Sequence, residues 1–230
     1  MASEAWVAGL LAKAKNFVMI GEAGSGKTEV SLNLAAAMEP YSSRSIHFFD
    51  MDQTKPLMRA RDSGLLVEKQ GITVHYQPQF QDAPTVASGV IESLTDPDRV
   101  VILDIGGGAY GSHMIGQFDE YLNRDDTMVI YLVNPYRPWS CSREYIVETM
   151  CRTLGAANLQ RIVTAANPNL GPETDAEVVF KGLEKIGQLL PDYPPIFVAA
   201  DKALASEVQA GCELPFLPLE LSISFRWMKD

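Results

Sequence analysis

The segment Gly21-Glu-Ala-Gly-Ser-Gly-Lys-Thr28 spaces its glycines, a lysine and a threonine as G-x4-G-K-T. Glycine lets the backbone take conformations closed to larger residues, so several N–H groups can turn toward one point. The positive end of a helix starting near Lys27 adds to this cradle before any side chain acts. A polyanion is the matching guest. Lys27 can reach the outer phosphates of a nucleoside triphosphate, and the Thr28 hydroxyl can ligate Mg2+. The candidate nucleotide-binding set here is Gly21, Glu22, Ala23, Gly24, Ser25, Gly26, Lys27, Thr28 and Glu29.

Two later segments supply the carboxylates such a site needs. Val100-Val-Ile-Leu-Asp104 is an apolar run ending in an acid, which suits a strand delivering a magnesium-holding carboxylate, directly or through water. Gly106, Gly107 and Gly108 follow, and a backbone without side chains can approach a terminal phosphate closely; Gly107 joins the candidate set. After residues 45–49 come Asp50-Met-Asp52. In extended chain, positions two apart face the same way, so both carboxylates can serve one site. One can orient an attacking water or take its proton while the other helps with magnesium.

These residues need a scaffold that gathers strand ends on one edge. Apolar runs at 17–20, 45–49, 72–76, 100–105, 128–133, 161–165 and 196–199 read as strands, mostly continuous rather than alternating, as expected where helices cover both faces. Helices are expected at 27–38, at 84–94 with Asp82 as cap, at 140–154, 174–190 and 202–210. The alternation predicts an α/β three-layer sandwich with a mainly parallel sheet, and ligands bind outside the carboxyl edge of such a sheet. The 230 residues read as one nucleotide-binding domain, 1–230. Residues 1–16 form an N-terminal extension, a short helix expected on the sheet edge. Residues 216–230 form a C-terminal edge segment, in which Leu219, Leu221, Ile223, Phe225 and Trp227 alternate with polar residues as in a strand. A dimer contact is the other reading of that face.

Composition narrows the function. Apolar residues make up 47% and charged residues 21%, which excludes wholesale disorder. The net charge of −10 disfavours non-specific DNA binding, and a C-terminal segment with only Arg226 and Lys229 as cations disfavours membrane cycling. Cys141, Cys151 and Cys212 show no metal-binding spacing and read as free thiols. With no apolar run long enough to span a bilayer and no signal-like leader, a cytoplasmic location is expected. His47, His75 and His113 lack metal-ligand spacing. The segment Asn134-Pro-Tyr-Arg-Pro-Trp139 reads equally well as loop punctuation and as a contact near the site.

GEAGSGKTEVSLNLAAAM, FFDMDQTKP, VVILDIGGGAYG and the loop near Asn167 together resemble the MinD/ParA group of SIMIBI-class P-loop ATPases, whose relatives include the nitrogenase iron protein and carbon monoxide dehydrogenase maturation ATPases. The resemblance covers about residues 15–205. It implies Mg2+ and ATP as ligands, with Lys27 and Asp52 catalytic, Asp52 activating water, and Thr28, Asp50 and Asp104 serving the metal. It further implies that Asn167 reads adenine and that the loop around Asp201 closes over the base. Two departures stand out. Members of the group carry a lysine directly after the first loop glycine, where this chain has Glu22, and no cysteine lies between 104 and 125 to hold an iron–sulfur cluster. The guanine-reading Asn-Lys-x-Asp element is missing, with Asn167-Pro168-Asn169 at its place, so ATP is favoured over GTP.

The resulting expectation is a slow ATPase acting as a conformational switch for an unidentified protein partner or as a homodimer. The alternatives are a small-molecule kinase or ligase, for which Lys55, Arg59 and Arg61 would line the pocket, and a module that binds nucleotide without hydrolysing it.

Overall fold

The computed structural model describes residues 2–52, 71–75 and 88–221. Helix α1 (Ala2–Lys13) leads into β1 (Asn16–Ile20), and α2 (Lys27–Met38) into β2 (Ser45–Met51). Strand β3 (Ile72–His75), helix α3 (Val90–Thr95) and β4 (Arg99–Ile105) follow. Short helices α4 (Gly108–His113) and α5 (Asp119–Leu122) precede β5 (Thr127–Val133). The rest runs α6 (Arg143–Ala157), β6 (Val163–Ala166), α7 (Ala176–Leu189), β7 (Pro195–Asp201), α8 (Ala205–Gly211) and β8 (Phe216–Leu219).

The strands form one sheet ordered β3-β2-β4-β1-β5-β6-β7-β8, and all seven neighbouring pairs are parallel. This is the three-layer α/β fold that the alternating runs predict. Successive side chains of a strand point to opposite faces, and here both faces are apolar and buried. Val18 and Ile20 of β1 join Val101, Leu103 and Ile105 of β4 under one helical layer. Phe17 and Met19 join Val100 and Ile102 in the other.

The N-terminal extension corrects its expected position. Helix α1 lies on a sheet face rather than at the edge, burying Val7 and Leu10, with the Trp6 ring 5.3 Å from that of Phe197. Its apolar face finds more partners there than the rim of a sheet provides. The C-terminal edge strand is present as β8, but it spans 216–219; the alternating run from 222 onward lies outside the described residues, as do Asp82, Lys55, Arg59 and Arg61. Of the helix expected at 84–94, the part described is α3, which starts after Gly89. Among the described residues, no helix is long and apolar enough to cross a membrane.

The longer helices begin where side chains can satisfy their first amides. Ser142 caps α6 by accepting from Tyr145 N, and Asp175 caps α7 by accepting from Val178 N at 2.8 Å. Asp175→Ala should lower stability by about 1 kcal/mol, read from the midpoint of urea unfolding at unchanged slope.

Candidate functional site

The segment between β1 and α2 turns at the carboxyl edge of the sheet, beside the ends of β4 and β5. Gly26, at φ +96°, is the N-cap of α2 and offers no side-chain cap. The first amides of α2 therefore stay available to a bound anion. No larger residue would fit: a Cβ on Gly26 would overlap the Asn167 amide nitrogen. Lys27 is buried, and its Nζ donates to the carbonyls of Gly21 (3.0 Å) and Glu22 (2.9 Å). The ammonium is thus held by the loop that would grip the phosphates.

Asp50 and Asp104 stand opposite each other on the neighbouring strands β2 and β4. Asp104 is fully buried, and its Oδ2 has no hydrogen-bond partner among the described residues; Ser31 Oγ donates to Oδ1 at a long 3.5 Å. Burial, and then the Asp50 charge, push its pKa up to about 7, against the pull of the Thr28 hydroxyl and the Lys27 charge, with Asp52 raising it further. Asp52 N donates to Asp50 Oδ1 at 3.2 Å, and Asp52 Oδ1 lies 3.2 Å from where a Cβ on Gly106 would stand. Asp50 near the end of β2 and Asp52 just past it therefore gather with Asp104, as the two-residue spacing predicts.

This donor set fits a small hard cation. Thr28 and Asp104 supply oxygens, and Asp104 has a desolvated lone-pair site left over. Among the described residues, no trio of His, Cys, Asp or Glu gathers tightly enough to hold a metal alone, so a Mg2+ here would share its ligands with phosphate oxygens.

The glycines after β4 press on the loop. A Cβ on Gly107 would lie 2.7 Å from Ala23 Cα, so only glycine permits this approach. Gly108 N donates to Gly21 O at 3.0 Å. The Glu22 carboxylate turns toward this segment, its Oε2 3.2 Å from where a Cβ on Gly108 would sit. Its charge also adds to the burial that pushes the Tyr131 hydroxyl up to about 12. Glu29 sits in the first turn of α2, where an acid suits the helix dipole, and its carbonyl accepts from Asn33 Nδ2 at 2.8 Å.

On the far side of β1, Asn167 is buried against the loop. Its Nδ2 donates to Ser25 O at 2.8 Å, which fixes the amide orientation, and its Oδ1 has no partner among the described residues. Asp201 is not brought into this group: its side chain caps its own turn by accepting from Ala203 N at 2.8 Å, and among the described residues no hydrogen bond joins it to the loop. Motif reading did not single out Arg137, whose Nε donates to Gly24 O at 3.0 Å. The only signal was the position of 134–139 at the end of an inner strand. The three cysteines are free, and a cavity of about 580 Å³ opens on other residues, including Lys13, Met128, Met150 and Tyr193, away from the loop.

Asp104 sets a pH dependence. Its folded pKa of about 7 exceeds the ordinary value of 3.8, so between these pH values the folded chain holds a proton that the unfolded chain has released. This group's contribution to stability therefore falls as pH rises from about 4 to about 7. Asp104→Asn should gain on the unaltered chain over that interval, measured by denaturant unfolding at each pH without nucleotide or metal.

No protein-family model matches the chain, and no curated protein sequence matches it. Solved structures do match in fold. FtsY, a cell division protein from Thermotoga maritima, is 16% identical over 86% of this chain and 68% of its own, with a TM-score of 0.51. FtsY from Mycoplasma mycoides is 13% identical over 81% of this chain and 60% of its own, with a TM-score of 0.50. Both likenesses concern the fold and leave the MinD/ParA resemblance without separate support. The chain has the all-parallel, helix-covered α/β fold of the P-loop NTPases.

Proposed function

We propose that this chain is a magnesium-dependent nucleotide switch that binds ATP, hydrolyses it slowly and reports loss of the terminal phosphate to a partner protein. The observation that carries this reading is the buried Asp104 carboxylate, one of whose oxygens has no hydrogen-bond partner among the described residues, beside Thr28, Lys27 and the uncapped start of α2. A desolvated acid facing a ready anion cradle is unfavourable alone and favourable once a cation and a phosphate fill the gap.

In this reading the loop amides and Lys27 hold the β- and γ-phosphates, and Lys27 exchanges its two carbonyl partners for phosphate oxygens. Bound Mg2+ would offset the charge that develops on the phosphate oxygens. Asp52 orients a water and takes its proton as the oxygen–phosphorus bond forms and the bond to the bridging oxygen breaks, leaving ADP and phosphate. Gly107 senses the terminal phosphate through its backbone, being already seated on Ala23.

Base preference follows from Asn167. Its Oδ1, buried and without a partner among the described residues, is an acceptor, which pairs with the exocyclic amine of adenine and opposes the carbonyl oxygen of guanine at the same ring position. Leu170 stands where an acid would be needed to read guanine. Glu22 turns toward Gly108 and Tyr131, and the described site calls for no lysine from a second copy. A protein partner rather than a homodimer is therefore the proposed receiver.

Calorimetry should register Mg2+-dependent ATP uptake by the unaltered chain. Lys27→Ala should weaken it by about 100-fold, since two charge-assisted contacts are lost. No uptake by the unaltered chain overturns the reading. With binding established, Asn167→Ala should narrow the preference for ATP over GTP, and an unchanged ratio would remove Asn167 as the base reader.

A further inference from the structure

We propose that Arg137 is the platform on which the nucleobase rests, an inference that depends on the nucleotide reading above. The Arg137 Nε–H is anchored on Gly24 O, and its guanidinium carbon lies 3.9 Å from where a Cβ on Gly24 would stand. Its two terminal nitrogens make no hydrogen bond and no ion pair among the described residues. Among the described residues it is an exposed, unpaired cation, in a chain of net charge −10.

Its place argues for the base rather than the phosphates. The loop binds anions through amides that point inward, so a group seated on a loop carbonyl stands at the rim, outside the phosphate channel. The strand order fixes which rim. Asp50 and Asp104 end β2 and β4 on one side of β1, whereas Arg137 and Asn167 follow β5 and β6 on the other. A triphosphate whose outer end meets the acids must send its sugar and base over β5 and β6.

The platform is also held in advance. Asn134 Nδ2 donates to Asn169 O at 2.9 Å, and Asn134 Oδ1 accepts from Tyr136 N at 3.1 Å. Lys185 Nζ donates to Pro135 O at 2.6 Å and Tyr136 Oη to Val178 O at 2.5 Å. Pro135 and Pro168 both pack where a Cβ on Gly182 would be, which ties the two loops to α7. A guanidinium plane fixed at one end and open at the other stacks on a heteroaromatic ring. Stacking tolerates any base, so Arg137 adds affinity while Asn167 supplies discrimination.

The test compares ATP, GTP and inorganic tripolyphosphate binding to the full chain with Mg2+, for the unaltered protein, Arg137→Ala and Arg137→Lys. Arg137→Ala should weaken ATP and GTP alike by about tenfold and leave tripolyphosphate unchanged. Arg137→Lys should fall between, because an ammonium keeps the charge and loses the plane. An equal loss for tripolyphosphate would assign Arg137 to holding the loop and overturn the platform, as would unchanged ATP binding in Arg137→Ala. Absence of ATP binding by the unaltered chain would instead remove the nucleotide reading itself.

Discussion

Water does not reach the Asp104 carboxylate. It sits at the end of β4, between β2 and β1, and its nearest acidic neighbour Asp50 faces it across the β2–β4 pair. A lone ionised carboxylate in such a place is unfavourable, and a second acid beside it makes matters worse. Lys27 offsets part of this, yet its ammonium is already held by two loop carbonyls. In the proposed site, a divalent cation and a polyanion arriving together relieve what remains of this cost at Asp104. The buried strands hold the acids in place, and the desolvation of Asp104 raises its pKa.

Strand β1 divides the edge into two halves. On one side the acids and the glycines after β4 gather around Thr28 and Lys27. On the other, Arg137 and Asn167 grip the consecutive carbonyls of Gly24 and Ser25. The second half depends on packing far from the loop. Gly182 of α7 makes room for both Pro135 and Pro168, and the Asn134 amide ties 134–136 to 169. A pair of side chains held this way needs little reordering to receive a ligand, which is where preorganisation adds affinity.

Much of this was legible in the residues, and the reasons differ by element. Inner strands were readable because both faces are buried, so β1, β4 and β5 appear as unbroken apolar runs. Asp104 was readable because an acid closing such a run has nowhere to go but the carboxyl edge. The short helix α4 was not, since three glycines in a row signal a loop and their close approach to Ala23 is a tertiary fact. Arg137 was hidden for a similar reason: the hydrogen bond to Gly24 spans 113 positions, and no local pattern encodes it. Asp201 is a different case. A motif-level position placed it near the base, while its carboxylate satisfies the amide of its own turn.

The glycine segment couples the two functions proposed for the edge. Gly107 bears on Ala23, Gly106 meets Asp52, and a Cβ on Gly111 would overlap the Gly106 carbonyl. These contacts leave no slack, so a displacement of Gly107 has to move α4, and α4 packs on α6. Close-packed interiors pass such shifts on as discrete rearrangements rather than absorbing them. Tyr110 and Tyr145, both largely exposed, ride on those two helices. In the proposed switch, a change of about an ångström at the terminal phosphate is therefore re-expressed as a rearranged aromatic surface, which is the form a partner protein can read.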